Sequence, residues 1–223
     1  MDVIPALEAR NLYRFYHAAT DETLALRGVS FSIAPGELVA VVGPSGSGKS
    51  TLLNCLAGLD EPDGGAVFIG GEQISRRSET TRARIRARRI GVLMQSGNLI
   101  DHLTVAENLK IAARLAGGRG KNSGRAGLEA LGVAHCAGSL PAQLSGGELA
   151  RAGLALALVN DPDILLADEP TGEVDSANEA RVLAFFAARS AAGGATLVVT
   201  HSDAVARAAD RTLRLVDGSL SHD

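Results

Sequence analysis

Apolar residues come in short dense runs separated by glycine-rich turns, and their spacing predicts alternating strands and helices. Residues 24–33 (LALRGVSFSI) and 37–42 (ELVAVV) read as two extended segments joined by a turn at Ala34, Pro35 and Gly36. The second segment runs straight into glycine-rich sequence. After it, STLLNCLAGL is too densely apolar for an exposed strand and predicts a buried helix. GGAVFIGGEQI at 64–74 predicts a hairpin, and RIGVLMQ at 89–95 a buried strand. From about Leu99 to Ala142, LTVAENLKIAARLA and GRAGLEALGV predict helices separated by GGRGKNSG, which reads as a flexible surface loop. The last third alternates again: a helix over 147–160, the strand DILLAD, a helix over 176–192, the strand TLVVT, a further helix and the strand TLRLVDG. No internal repeat interrupts this order. Such alternation specifies a largely parallel sheet with helices on both faces. The expected architecture is one domain, an α/β core over 1–98 and 143–223 with an α-helical lobe inserted at about 99–142.

A chain of 223 residues with 46% hydrophobic and 21% charged residues buries an ordinary globular core and is too apolar to be disordered. Its net charge of −3 removes any global electrostatic case for nucleic-acid binding, so no nucleic-acid partner is expected. Cys55 and Cys136 are too few and too far apart for a disulfide framework or a zinc site, and read as reduced thiols of a cytosolic compartment. The amino-terminal MDVIPALEAR has neither a basic leader nor an apolar core, and no apolar run approaches the roughly 20 residues that span a bilayer. The expected location is cytoplasmic.

The chemistry concentrates in two segments. Gly43, Pro44, Ser45, Gly46, Ser47, Gly48, Lys49 and Ser50 match G-x-x-x-x-G-K-[ST] between a predicted strand and a predicted helix, the context a phosphate-binding loop requires. Its glycines let backbone N–H groups converge on phosphate oxygens, the helix amino terminus adds its dipole, Lys49 brings a point charge to the β- and γ-phosphates, and Ser50 is a ligand for Mg²⁺. The second segment, Ile164 to Glu169, is an apolar strand ending in two carboxylates. That is the pattern of a Walker B strand, with Asp168 beside the metal and Glu169 as the candidate base for an attacking water. Alone, these motifs fit kinases, GTPases, helicases and ATPases.

Leu144-Ser145-Gly146-Gly147-Glu148 narrows the choice. By itself a Ser-Gly-Gly turn is no more than a helix cap. Here, however, the chain resembles the ABC ATPase family, whose signature is LSGGQ or a close variant, and the likeness runs in order over almost the whole chain. The resemblance implies a P-loop NTPase core with a mostly parallel sheet, an amino-terminal antiparallel β-edge and an inserted helical lobe. It identifies Gln95 with the Q-loop glutamine, Asp175 with the D-loop aspartate and His201 with the switch histidine. Tyr16 is similar to the aromatic that stacks on adenine, with Tyr13 as its competitor. ATP and Mg²⁺ are the implied cofactors. The implied nucleotide contacts run through Thr51, the metal ligands are Ser50, Gln95 and Asp168, and the catalytic group is Glu169, His201, Gln95 and Lys49.

The resemblance further implies a head-to-tail dimer in which Ser145, Gly146 and Gly147 act on the opposite copy's ATP, and a transmembrane permease that holds the pair at the cytoplasmic face of the membrane. NLIDHLTVAENL, PAQLSGGE and especially DEPTG look most like the branch serving lipoprotein release and macrolide export. Relatives that act on DNA or ribosomes usually carry a long coiled-coil insertion or two cassettes in one chain, and this sequence has neither. Three departures stand out: TGEVD in place of TGNLD or TGALD, Glu148 for the usual glutamine, and Leu156 where a second arginine is expected. Arg76, Arg77, Arg82, Arg84, Arg86, Arg88 and Arg89 crowd the segment before the Q-loop strand with Glu79 as the only acid among them, and read as a solvated helix face.

Overall fold

The computed structural model describes residues 3–18, 21–117, 123–172 and 176–221. Asp175 and residues 118–122 of the expected loop lie outside them. In chain order the elements are β1 (Leu7–Ala18), β2 (Asp21–Ile33), β3 (Leu38–Val42), α1 (Lys49–Leu56), β4 (Gly64–Ile69), β5 (Glu72–Gln73), α2 (Glu79–Arg89) and β6 (Ile90–Leu93). The helices α3 (Val105–Leu115), α4 (Ser123–Ala130) and α5 (Gly146–Ala157) follow, then β7 (Ile164–Asp168), α6 (Ser176–Ala191), β8 (Ala195–Val199), α7 (Asp203–Ala208), β9 (Arg211–Val216) and β10 (Ser219–Ser221).

Among the described residues the strands form two sheets. One is antiparallel in the order β2-β1-β4-β5; the other runs β10-β9-β3-β8-β7-β6 and is parallel except where β10 pairs with β9. The centre of the parallel sheet is buried on both faces, which is why β3 is apolar throughout, β7 is apolar up to Asp168 and β8 is apolar but for Thr196. At the turn before β3, the Glu37 N–H donates to the Ala34 carbonyl at 3.1 Å, Pro35 holds its ring-fixed φ, and Gly36 takes φ 79° as a type II turn requires.

Strand β1 escapes the hydrophobic pattern because its alternation is broken. Leu7 and Ala9 point inward, then Asn11 adopts φ 51° and donates its N–H to Ser30 Oγ at 2.7 Å, a bulge after which Leu12 is again buried. An extra residue of this kind shifts the phase of every side chain beyond it.

Helices α3 and α5 each begin with a capping box: Thr104 with Glu107, and Ser145 with Glu148. Their apolar faces, with that of α4, join one cluster that runs from Val105, Leu109, Leu128 and Leu154 to Leu165, Ala167, Phe186 and Val198 of the parallel sheet and α6. The helical segment therefore shares a core with the sheet. Phe186 is fully buried in that cluster, and Phe186→Ala is expected to lower unfolding free energy by about 3–5 kcal/mol, read by denaturant titration.

The arginine-rich segment runs into α2 and is solvated only in part: Arg76, Arg77, Arg84 and Arg88 are exposed as expected, while Arg82, Arg86 and Arg89 are half-buried in ion pairs. Arg82 pairs with Glu61 at 2.7 Å and Glu79 at 2.8 Å, Arg86 with Glu79 at 2.5 Å, and Arg89 with Asp163 at 2.7 Å. Two of these four pairs, Arg82–Glu61 and Arg89–Asp163, reach outside the helix, Arg86 also donates to the Gly58 carbonyl at 2.8 Å, and the three arginine side chains are only 17–28% exposed. The cluster ties α2 to neighbouring loops. The helix also takes Arg89, so the strand after it starts at Ile90.

Candidate functional site

Parallel strands direct their carboxyl ends to one side of the sheet, and the loops there carry the candidate chemistry. Register places Val41 beside Val199 and Asp168 beside Val199 in turn, so the ends of β3, β8 and β7 converge. The loop from Gly43 to Gly48 leaves β3 and enters α1 at Lys49. Two of its glycines are demanded by close approach: a β-carbon on Gly43 would collide with the Leu215 carbonyl, and one on Gly48, at φ 100°, with the Ala25 carbonyl. Lys49 Nζ donates to the carbonyls of Gly43 and Pro44, both at 2.8 Å, which curls the loop around its own ammonium.

Ser50 Oγ donates to Asp168 Oδ2 at 3.4 Å, bringing the first turn of α1 against the end of β7. Burial, with the neighbouring Glu169 charge, pushes the Asp168 carboxyl up, while the Ser50 hydroxyl and Lys49 pull it back. Glu169 stands at φ 48°, an unfavourable conformation for a non-glycine residue, held by its N–H on the Val199 carbonyl at 2.9 Å. One of its oxygens, Oε2, accepts from Thr200 Oγ1 at 3.3 Å and from the His201 N–H at 3.2 Å. The other, Oε1, is buried with no hydrogen-bond partner and lies 3.7 Å from His201 Nε2. A buried unpaired carboxylate oxygen is costly and marks a place where a proton or a donor is received.

These groups share a cavity of about 750 Å³, lined by Tyr16, Ser45, Gly46, Gly48, Lys49, Ser50, Thr51, Gln95, Asp168, Glu169 and His201. Tyr16 is 39% exposed; its hydroxyl donates to Asp60 Oδ2 at 2.8 Å, and the Arg14 guanidinium lies over its ring at 4.7 Å. Arg14 is itself fixed by Asp60 at 2.9 Å and Asp63 at 3.0 Å. Tyr13 packs against Gly28 and Gly64 and does not line the cavity.

Of the remaining predicted residues, Gly43, Pro44 and Ser47 belong to the loop behind the cavity wall. Ser145, Gly146 and Gly147 start α5 and do not line the cavity at all. There Ser145 Oγ donates to Glu148 Oε2 at 2.7 Å and His135 Nε2 meets Glu148 Oε1 at 2.8 Å. The Ser145 hydroxyl above all, then His135, holds the Glu148 carboxyl down at about 2. Glutamate at this position is thus an ionised cap.

Sequence reasoning missed three supports. Asn98 receives the Met94 N–H at 2.8 Å and returns a bond to the Met94 carbonyl at 2.7 Å, which clasps the turn carrying Gln95. Thr200 anchors Glu169, and Arg14 with Asp60 orients Tyr16. A lone polar residue in a loop carries no signal for such a role, although TH at the end of an apolar strand next to DE would have pointed to Thr200.

A glycine loop with its lysine, a hydroxyl–carboxylate pair and an anchored glutamate at the carboxyl ends of a parallel sheet define a P-loop nucleoside triphosphatase. The chain belongs to the ABC transporter family, whose sequence pattern matches residues 26–172. Within it, this is an ATP-binding, ATP-hydrolysing transport subunit. It is 39% identical over 220 residues to the lipoprotein-releasing system ATP-binding protein LolD of Hyphomonas neptunium, covering 97% of this chain and 96% of that one. It is 40% identical over 220 residues, with the same coverage, to LolD 2 of Caulobacter vibrioides. Among solved structures, the ATP-binding cassette MJ0796, in a dimeric post-hydrolysis state bound to ADP and Pi, superposes with a TM-score of 0.89 at 34% identity over 97% of both chains.

Proposed function

We propose that this chain works as one half of a head-to-tail dimer. Each ATP lies between the phosphate loop of one copy and Ser145, Gly146 and Gly147 of the other, and closure and reopening of the pair drive a membrane permease. The observation that carries this reading is the division within one chain: phosphate loop, Asp168 and Glu169 share a cavity that the signature residues do not line. A second copy supplies what is missing. The dimeric MJ0796 cassette supports the arrangement, and the likeness to LolD proteins supports a permease of the lipoprotein-release branch as partner. Among the described residues no helix is long and apolar enough to cross a membrane, so in this reading the permease holds the motor at the cytoplasmic face.

The roles follow from the chemistry. Lys49 and the loop N–H groups of residues 45–51 take the phosphates, and Tyr16 offers its ring to the base. Ser50, Asp168 and Gln95 would hold Mg²⁺; an all-oxygen set with one carboxylate paired to a hydroxyl at 3.4 Å fits a hard cation that keeps several waters. When bound, that ion neutralises charge developing on the phosphate oxygens. Glu169 accepts the proton of the attacking water on Oε1, the oxygen left free because Thr200 and His201 fix the other. His201 orients the same water and the γ-phosphate. Asp175 falls outside the described residues, and its role at the dimer contact rests on the family pattern.

Ser145→Arg tests the arrangement. Arginine would fill the cage that the opposite copy's γ-phosphate must enter, so hydrolysis is expected to be lost while the isolated chain keeps its ATP affinity. A variant that loses affinity as a monomer would place the signature at its own nucleotide and contradict the dimer. Tyr16→Ala is expected to weaken ATP binding by about 1–3 kcal/mol in a calorimetric titration with the fold intact. Tyr13→Ala is expected to leave affinity unchanged.

A further inference from the structure

The two cysteines, by their number and spacing, gave no expectation of a zinc site, but the fold brings Cys136 together with a histidine and a glutamate. Cys136 lies in a 3-10 turn at Ala134–Cys136, and Glu148 lies in the first turn of α5. His135 Nε2, Cys136 Sγ and a Glu148 oxygen all fall within 4.8 Å of one another. Beyond the pairing of His135 with Glu148, no role described above uses the histidine, and none uses the thiol.

We propose that His135, Cys136 and Glu148 bind one divalent transition-metal ion of the zinc class. Nitrogen, thiolate and carboxylate ligands at about 2.0–2.3 Å from a tetrahedral ion lie roughly 3.3–3.7 Å apart, so the three atoms need shifts of only about an ångström. Three protein ligands leave the fourth position to water, and the 66% exposure of the His135 side chain gives the ion a way in. A thiolate and a carboxylate together neutralise the ion's two charges.

A cysteine binds a metal as its thiolate, so binding displaces one proton from the Cys136 sulfur to solvent. The two carboxylate oxygens of Glu148 divide the work. Oε1, now on His135, turns to the ion, and Oε2 keeps the Ser145 hydroxyl and N–H, at 2.7 Å and 3.0 Å. An occupied site therefore clamps the 134–136 turn to the start of α5 through the residue that caps the signature helix.

The inference does not depend on the dimer, and its test uses no nucleotide. The full-length, tag-free chain is titrated with Co²⁺ while its absorption is recorded, and Zn²⁺ is then added. One equivalent of Co²⁺ with a thiolate-to-cobalt charge-transfer band, displaced by Zn²⁺, is the expected result. Cys136→Ser is expected to abolish the band, and His135→Gln to weaken affinity roughly tenfold or more. Zn²⁺ is expected to raise the melting temperature of the parent and of neither variant. No band at saturating Co²⁺, or a band that survives in Cys136→Ser and so belongs to Cys55, overturns the proposal. So does parental affinity in His135→Gln, whose exposed side chain makes it the deciding variant if Cys136→Ser fails to fold.

Discussion

Glu169→Gln is expected to bind MgATP with parental affinity, to hydrolyse it about 10²- to 10⁴-fold more slowly, and to accumulate as a dimer. The amide is nearly isosteric with the carboxylate, and its oxygen can still accept from Thr200 and the His201 N–H, so the strained turn at φ 48° keeps its anchor. What it cannot do is take a proton from water. The closed state then forms and has no chemical exit, because reopening requires cleavage of the γ-phosphate that bridges the two copies. Light scattering with and without MgATP reads the trapped species. Adding Ser145→Arg to the same chain should return it to a monomer that still carries nucleotide. A monomeric Glu169→Gln chain under saturating MgATP, whether alone or beside the permease, would contradict the head-to-tail arrangement, as would a double variant that dimerises.

Lys49→Ala is expected to lower ATP affinity by roughly 100-fold or more, the loss of charge-assisted hydrogen bonds worth about 1.5–3 kcal/mol each. In the structure its ammonium satisfies the Gly43 and Pro44 carbonyls at 2.8 Å, so the side chain both shapes the loop and presents charge to the phosphates. Equilibrium titration with a fluorescent ATP analogue measures the first effect. Thermal unfolding of the same variant separates it from loss of the fold, in which Lys49 takes part as a buried residue at the start of α1. Parental affinity in this variant would remove the phosphate loop from the site.

Much of this was legible along the chain. The phosphate loop, the strand ending in Asp168 and Glu169, and the capped turn at Ser145 are each contiguous, and their meaning lies in residue types at fixed spacing on backbone that any strand-to-helix junction supplies. The parallel core was legible for a similar reason: strands buried on both faces are dominated by apolar residues, Thr196 of β8 being the interior exception, so β3, β7 and β8 announce themselves. Strand β1 did not, because the bulge at Asn11 breaks the period of two on which strand recognition depends.

Sequence alone thus determined the class of chemistry and the order of elements, since both are written in local patterns. Tertiary structure decided what those patterns meet. It chose Tyr16 over Tyr13 for the cavity, through Arg14 and Asp60, which lie 46 residues apart and share no motif. It left Arg84 and Arg88 of α2 exposed but drew Arg82 and Arg89 into ties to Glu61 and Asp163. It also left one oxygen of Glu169 free by giving the other to Thr200 and His201, and set His135, Cys136 and Glu148 side by side. Contacts of this kind come from chain crossings in three dimensions, and spacing along the sequence holds no record of them.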